Sequence, residues 1–397
     1  MNSFNLKTII KPPFPLALIL ALVLFACKMS IVEPVETPKN AWDESLNTHP
    51  RGAAFQNLLD DYIASGFPGL VMFVKSPEGM WNGAAGYARL ETKERMTPAH
   101  LFPSGSNGKP YTAAAVMLLV EDGKIELDTK INQYLPRRIT DKIGNGNTAT
   151  VRQLLNHTSG IKHFFDEITL WLDMMNGPTR SISTEYFLEL IYGDPPYFPA
   201  GQGYHYSSTN YVLLALIMDH VLGESHAKFV SERIIRPLRL VNTYYKNEPG
   251  YPDPPGLVNV YADLRDNGQL QNISDVLAAG LPATVGTAGY IASSYDYARF
   301  FEALLDGELV SEASLNAMTT DASGGGYGFG LWIANLRYGK LISHDGATVG
   351  AQTNRLYYVD RDTYIVLLAN GIGSGEEGRL DDLFDNLRLA AEDAVFK

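Results

Sequence analysis

Two residues three positions apart carry the most chemical information in this chain: Ser106 and Lys109, in the stretch Phe102-Pro103-Ser104-Gly105-Ser106-Asn107-Gly108-Lys109. A serine hydroxyl is a weak nucleophile at neutral pH and needs a base within hydrogen-bond reach. Residues i and i+3 share one face of a helix, so Lys109 can stand beside the Ser106 hydroxyl. A lysine taken out of water gives up its proton far more readily than a solvated one. Pro110 is tolerated only in a first helical turn, which places Ser106 at or near a helix N-terminus. There the backbone N–H groups and the helix dipole favour negative charge on the attacking oxygen. Residues 111–120 are too apolar for a surface helix, so Lys109 is expected to be partly buried. Taken alone, the same spacing also suits a helix-capping serine followed by a solvated lysine.

Two further segments offer partners. In Tyr204-His205-Tyr206-Ser207-Ser208-Thr209-Asn210-Tyr211, the Tyr206 hydroxyl can relay a proton to a leaving group, or act as an anionic base in a positive field. An aromatic turn capping the next helix is the plain alternative. His344-Asp345-Gly346 is expected at a strand end, where Gly346 lets backbone approach a substrate. The N–H of Ala347, with that of Ser106, can then form an oxyanion hole; a strand end with a pairing histidine reads equally well in isolation. Other signals are weaker. Residues 104–108 miss the Gly-x-Ser-x-Gly elbow by one position. The glycines of 324–330 precede a strand rather than a helix, unlike a phosphate loop. The histidines show no i, i+4 metal spacing. No metal or other cofactor is expected.

These residues need elements to hold them. Phe55, Leu58, Leu59, Tyr62 and Ile63 fall at helical spacing. Residues 70–75 and 81–90 read as a hairpin with its turn at 76–79. Near the other end, 327–336, 340–343, 353–359 and 363–368 read as four strands, joined in part by short turns at 338–339 and 360–362. Leu380, Leu383, Phe384 and Leu387 mark a last helix. Between these ends, 112–122 (ending at Gly123), 211–222, 227–238 and 292–305 read as helices, and 160–182 and 245–285 as long loops bordering a substrate cleft. The fold class expected is α+β: one antiparallel sheet built from both chain ends (about 51–103 and 325–397), flanked by the first and last helices. A large helical region (about 104–324) is inserted between.

The net charge of −12 argues against a nucleic-acid surface, which needs a basic footprint, and against attraction of the folded part to anionic lipid. At the N-terminus, Lys7 and Lys11 precede the apolar run 14–26, which is too short to span a bilayer and suits an export signal. Cys27, the only cysteine, follows in Leu24-Phe25-Ala26-Cys27, which resembles a bacterial lipobox. The expectation is a signal at 1–26, a lipid on Cys27, a tether over 27–50 and a domain from 51 to 397. The protein would be exported and lipid-anchored, facing the periplasm or the cell exterior. A plain signal peptide or an uncleaved anchor is the alternative.

The order Ser-x-x-Lys, Tyr-x-Ser, His-x-Gly resembles the serine β-lactamase and penicillin-binding-protein superfamily. The branch most like it comprises class C β-lactamases, D-alanyl-D-alanine carboxypeptidases, D-aminopeptidases and related esterases. Leu154-Leu155-Asn156-His157-Thr158-Ser159-Gly160 and Phe198-Pro199-Ala200-Gly201 match further stretches of that pattern, and the likeness runs from about residue 52 to 395. It implies a β-lactamase/transpeptidase-like fold, with Ser106 as acylated nucleophile and Lys109 as its base. Tyr206 would be a proton shuttle, and His344 would fix substrate and tyrosine; His157 would be structural. Substrates would be small acyl compounds with amide, peptide or ester bonds, cell-wall peptides among them. Two departures bear on specificity. Ser208 replaces the usual Asn, which shortens a contact to substrate and lysine. Asp345 and Ala347 stand where hydroxyl residues are usual, so a substrate carboxylate meets repulsion unless Arg337 or Lys340 compensates. An esterase or amino-terminal peptidase is therefore favoured over a β-lactamase. The competing expectation is a tethered penicillin-binding or sensing module that acylates without turnover.

Overall fold

The computed structural model describes residues 42–247, 253–373 and 378–397; the signal, Cys27 and most of the tether lie outside them. A seven-stranded antiparallel sheet is numbered here in chain order: β1 (Gly69–Ser76), β2 (Gly79–Arg89), β3 (Glu94–Arg95), β4 (Trp332–Leu336), β5 (Gly339–Thr348), β6 (Ala351–Tyr358) and β7 (Thr363–Ala369). Its spatial order is β3-β2-β1-β7-β6-β5-β4. The two chain ends meet at β1 and β7, where Leu70 faces Ala369 and Lys75 faces Tyr364. The sheet from both ends is therefore as expected.

Side chains alternate across a strand, and here both faces are apolar. Leu70, Met72 and Val74 of β1 join Ile365 and Leu367 of β7 in a core closed by helices α1 (Gly52–Ala64) and α6 (Arg379–Phe396). Val71, Phe73, Val366 and Leu368 point the other way, into the larger core of the helical region. That region holds α2 (Lys109–Glu121), α3 (Ile168–Asn176), α4 (Ser208–Leu222) and α5 (Ser294–Leu305). In α2, residues 109–119 are all buried; a helix apolar on every side belongs inside a core, and its first residue, Lys109, is carried in with it.

Several expectations are corrected. Residues 42–50, expected as tether, pack on the domain: Trp42 meets Phe73 edge-on, and Thr48 and His49 donate backbone N–H groups to the Met80 carbonyl. The 160–182 loop contains α3, where buried Leu170 and Met174 give the helical period that flanking polar residues obscure. The 245–285 loop holds two short strands and the helix Ser274–Gly280. The strand expected at 327–336 begins only at Trp332, after Gly330 turns the chain at φ +75. The strand expected to stop at 343 runs to Thr348, so His344-Asp345-Gly346 lies within β5 and pairs with β6. No described helix is long and apolar enough to cross a membrane.

Candidate active site

Ser106 sits in a tight turn, Gly105–Gly108, that runs directly into α2. Gly105 adopts φ +51, a left-handed conformation that costs glycine little. The turn lies against β5 so closely that a Cβ on Gly346 would stand 2.2 Å from the Ser104 carbonyl oxygen. Asn107 ties the turn to β6. Its amide donates to Thr353 Oγ1 at 2.6 Å, and Arg355 Nε donates to Asn107 Oδ1 at 2.7 Å. Arg355 is wholly buried, its guanidinium 5.3 Å from the Phe301 ring and 5.4 Å from those of Tyr111 and Tyr297, where aromatic faces partly replace lost hydration.

Lys109 is also wholly buried. Its Nζ lies 2.8 Å from Ser106 Oγ, 2.8 Å from Thr287 Oγ1 and 3.2 Å from Ser208 Oγ. All three neighbours are neutral hydroxyls. Burial holds the lysine well below its ordinary value of 10.5, with Asp345 opposing more weakly. A neutral amine has two N–H donors and one lone pair. The hydroxyls of Thr287 and Ser208 can take the two donors, which leaves the lone pair for the Ser106 proton. Burial, rather than a fixed charge, thus makes this lysine able to act as a base.

Tyr206 closes the other side. Its ring centroid is 4.7 Å from Lys109 Nζ, and its hydroxyl interacts with the Ser106 side chain. Burial raises this hydroxyl well above 10; the Ser106 contact lowers it and Asp345 raises it further. It is a neutral phenol able to hand a proton on, so the anionic-base alternative gives way to the amine. Trp332 stacks parallel to Tyr206 at 5.9 Å, and Tyr327 meets it edge-on at 6.0 Å.

The histidines hold this assembly from behind. His157 accepts the Ser207 N–H at Nδ1 (3.2 Å), and His163 accepts the Ser208 N–H at Nδ1 (3.1 Å). Both must be unprotonated there, consistent with burial lowering His157 well below 6.5 and His163 to about 4. His157 is wholly buried. His344, expected to touch substrate and Tyr206, is 1% exposed and bonds instead to the Tyr327 hydroxyl at 2.8 Å through Nε2, with Nδ1 2.6 Å from the Asp345 carbonyl. Its ring reaches Tyr206 only by way of Tyr327, because β5 runs on past it and turns the imidazole into the core.

Ser208, expected against substrate, is 2% exposed and spends its hydroxyl on Lys109; Thr287 supplies the second hydroxyl that the shorter serine leaves room for. Asp345, Gly346 and Ala347 do line a cleft of about 310 Å³ beside the turn. Asp345 is open to that cleft, yet surrounding protein raises its carboxyl above the usual range, opposed by its own backbone, Lys109 and Trp332. Neither Arg337 nor Lys340 lines the cleft; Arg337 pairs with Asp393 at 3.0 Å. The structure thus gathers Ser106, Lys109, Tyr206 and Ser208, sets Asp345 and Ala347 at the cleft and places His344 behind. Sequence reasoning missed Thr287, Tyr327, Asn107 and Arg355. Only Asn107, inside the Ser-x-x-Lys stretch, carried a local signal; the others arrive from strands and loops far along the chain.

The Beta-lactamase family model matches residues 55–390. Penicillin-binding protein 4* of Bacillus subtilis (strain 168) is 27% identical over 328 residues, covering 77% of this chain and 68% of that protein. Among solved structures, a D-stereospecific amidohydrolase from Streptomyces sp. superposes with a TM-score of 0.72 at 27% identity, covering 85% of this chain and 98% of that one. A penicillin-binding protein from Bacillus halodurans shares the fold, with a TM-score of 0.70 at 24% identity over 86% of this chain and 99% of that one. With the ordered motifs, the sheet built from both ends and a matched span covering most of its length, this chain belongs to the beta-lactamase family of serine hydrolases.

Proposed function

We propose that the protein hydrolyses amide or ester bonds of small acyl compounds through an acyl-Ser106 intermediate, and that it does so outside the cytoplasm on a lipid anchor at Cys27. One observation carries the chemistry: a wholly buried lysine, hydrogen-bonded to hydroxyls alone, 2.8 Å from a serine at the head of a helix. Lys109 Nζ takes the Ser106 proton as Oγ adds to the substrate carbonyl. The oxyanion is held by the N–H groups of Ser106 and Ala347. As the intermediate collapses, the leaving group takes its proton from Lys109 by way of the Tyr206 hydroxyl. Water then adds to the acyl carbonyl and gives its proton to the same relay; as the acyl–Oγ bond breaks and the acid leaves, Lys109 returns the proton to Ser106 Oγ. The similarity to a D-stereospecific amidohydrolase supports amide substrates. Asp345 and Ala347 at the cleft favour short esters and amides over carboxylate-bearing β-lactams.

The test is covalent labelling with a fluorophosphonate, followed by turnover of a substrate panel: β-lactam, D-Ala-D-Ala peptide, D-amino-acid amide and short-chain ester. Wild type is expected to label once and to turn over the amide or ester; a burst without turnover on every compound would instead identify an acylating sensor. Persistent labelling of Ser106→Ala would sink the assignment of the nucleophile. Lys109→Ala is expected to lose several orders of magnitude in kcat, as for a group acting as part of a unit. The anchor is tested separately by lipid incorporation into wild type and Cys27→Ser, and equal incorporation would refute it.

A further inference from the structure

Alternation along β5 sends Ile342 and His344 into the helical region and turns Leu341, Ser343, Asp345 and Ala347 toward α6. On that side lies the 310 Å³ cleft, with Ala347 at one wall and Asp385 and Arg388 of α6 at the other. Asn354 of β6 stands directly across from Asp345, so their side chains share this face about 5 Å apart. Asn354 is 6% exposed and lines the cleft, yet its amide has no hydrogen-bond partner among the described residues. An amide that faces the cleft without a protein partner among the described residues is free to meet a ligand group there.

The charge of the cleft is unbalanced. Arg388 is committed to Glu392 at 2.8 Å. Asp345 interacts favourably with Trp332 and feels Asp385 as a like charge. Neither Asp345 nor Asp385 has an ion-pair partner among the described residues. Trp332 adds an aromatic wall of the kind cations favour.

We infer that this cleft takes a basic group of the substrate, an ammonium or guanidinium, between Asp345, Asp385 and the amide oxygen of Asn354, with Trp332 alongside. A substrate carboxylate entering the same place is repelled. The inference rests on acylation at Ser106 and names which acyl compounds reach it.

Its test uses acyl compounds of one skeleton ending in an ammonium, a neutral isostere or a carboxylate, with the charged end on the acyl side in one series and on the leaving-group side in another. In at least one series wild type is expected to rank ammonium above neutral above carboxylate, by on the order of tenfold in kcat/KM per step at low salt, shrinking as salt is added. Asp345→Asn/Asp385→Asn is expected to bring the ammonium-to-neutral ratio toward one. No preference for ammonium in either series, or a preference for carboxylate, overturns the inference. The wild-type ranking decides even if the double variant does not fold. Fluorophosphonate labelling run alongside separates the two readings: labelling without charge preference refutes the subsite alone. If labelling fails, equilibrium binding of the ammonium and carboxylate compounds reads the cleft directly, and equal binding refutes it.

Discussion

Thr287 is the sharpest place to perturb the lysine without touching the nucleophile. Its hydroxyl is 2.8 Å from Lys109 Nζ and the residue is 1% exposed. Valine keeps the shape and removes the hydroxyl. In the neutral amine one N–H then loses its partner in a site water does not reach, at a cost of about 1–3 kcal/mol. The amine can recover it only by turning that N–H toward Ser106, which directs the lone pair away from the proton it must take. Either way the acylation barrier rises by a similar amount, a slowing of roughly 5- to 150-fold. The assay is the burst rate with a p-nitrophenyl ester or the bimolecular rate of fluorophosphonate labelling. Thermal melting run beside it separates loss of function from loss of fold. Thr287→Ser restores the hydroxyl and is expected to recover most of the rate. A valine variant within twofold of wild type, or equal losses in the valine and serine variants, would refute the arrangement of donors around Lys109.

Acylation is expected to rise with pH through a limb set by Lys109 and lying well below 10.5, because burial favours the amine; a rate–pH profile still climbing above pH 10 would contradict this. Stability should fall on the acid side. Buried His157 and His344 stay unprotonated when folded but take up protons when unfolded below about pH 6.5, so each removes roughly 1.4 kcal/mol per pH unit below that value. Asp296, raised to about 6 chiefly by burial, works in the opposite sense and offsets only one of them; a melting temperature constant from pH 6.5 to 5 would be the wrong result. Gly346→Ala should abolish labelling, since a Cβ 2.2 Å from the Ser104 carbonyl oxygen forces the Ser106 turn off β5; a variant that labels at the wild-type rate would show the contact to be slack.

Local patterns carried much of the fold. The apolar runs of β1 and β7 and the spacing of Phe55 and Leu59 made the sheet and its outer helix legible, because both faces of the central strands are buried and leave few polar interruptions. Ser106, Lys109 and Tyr206 were legible because their roles depend on spacing and on a turn that the sequence encodes nearby. Thr287, Tyr327 and Arg355 were not. A threonine after a glycine, or an arginine in a strand, has no local mark of its partner. Arg355 even reads against burial until the aromatic rings of α2 and α5 close over it. His344 was misplaced for a related reason: the period of two in β5 decides which face it takes, and the expected strand stops five residues short of its observed end at Thr348.

The sheet joins the first strands of the chain to the last. Asn107, which fixes the nucleophile's turn, is bonded to Thr353, 246 positions later, and the cleft is closed by α6, after the final strand. During synthesis, then, Ser106 and Lys109 emerge long before the backbone that shapes their turn. A nascent chain carries the reactive pair but neither its clamp nor its oxyanion donor at Ala347. The turn that holds the nucleophile thus depends on a strand made 246 positions after it, so folding of the sheet must precede assembly of the site.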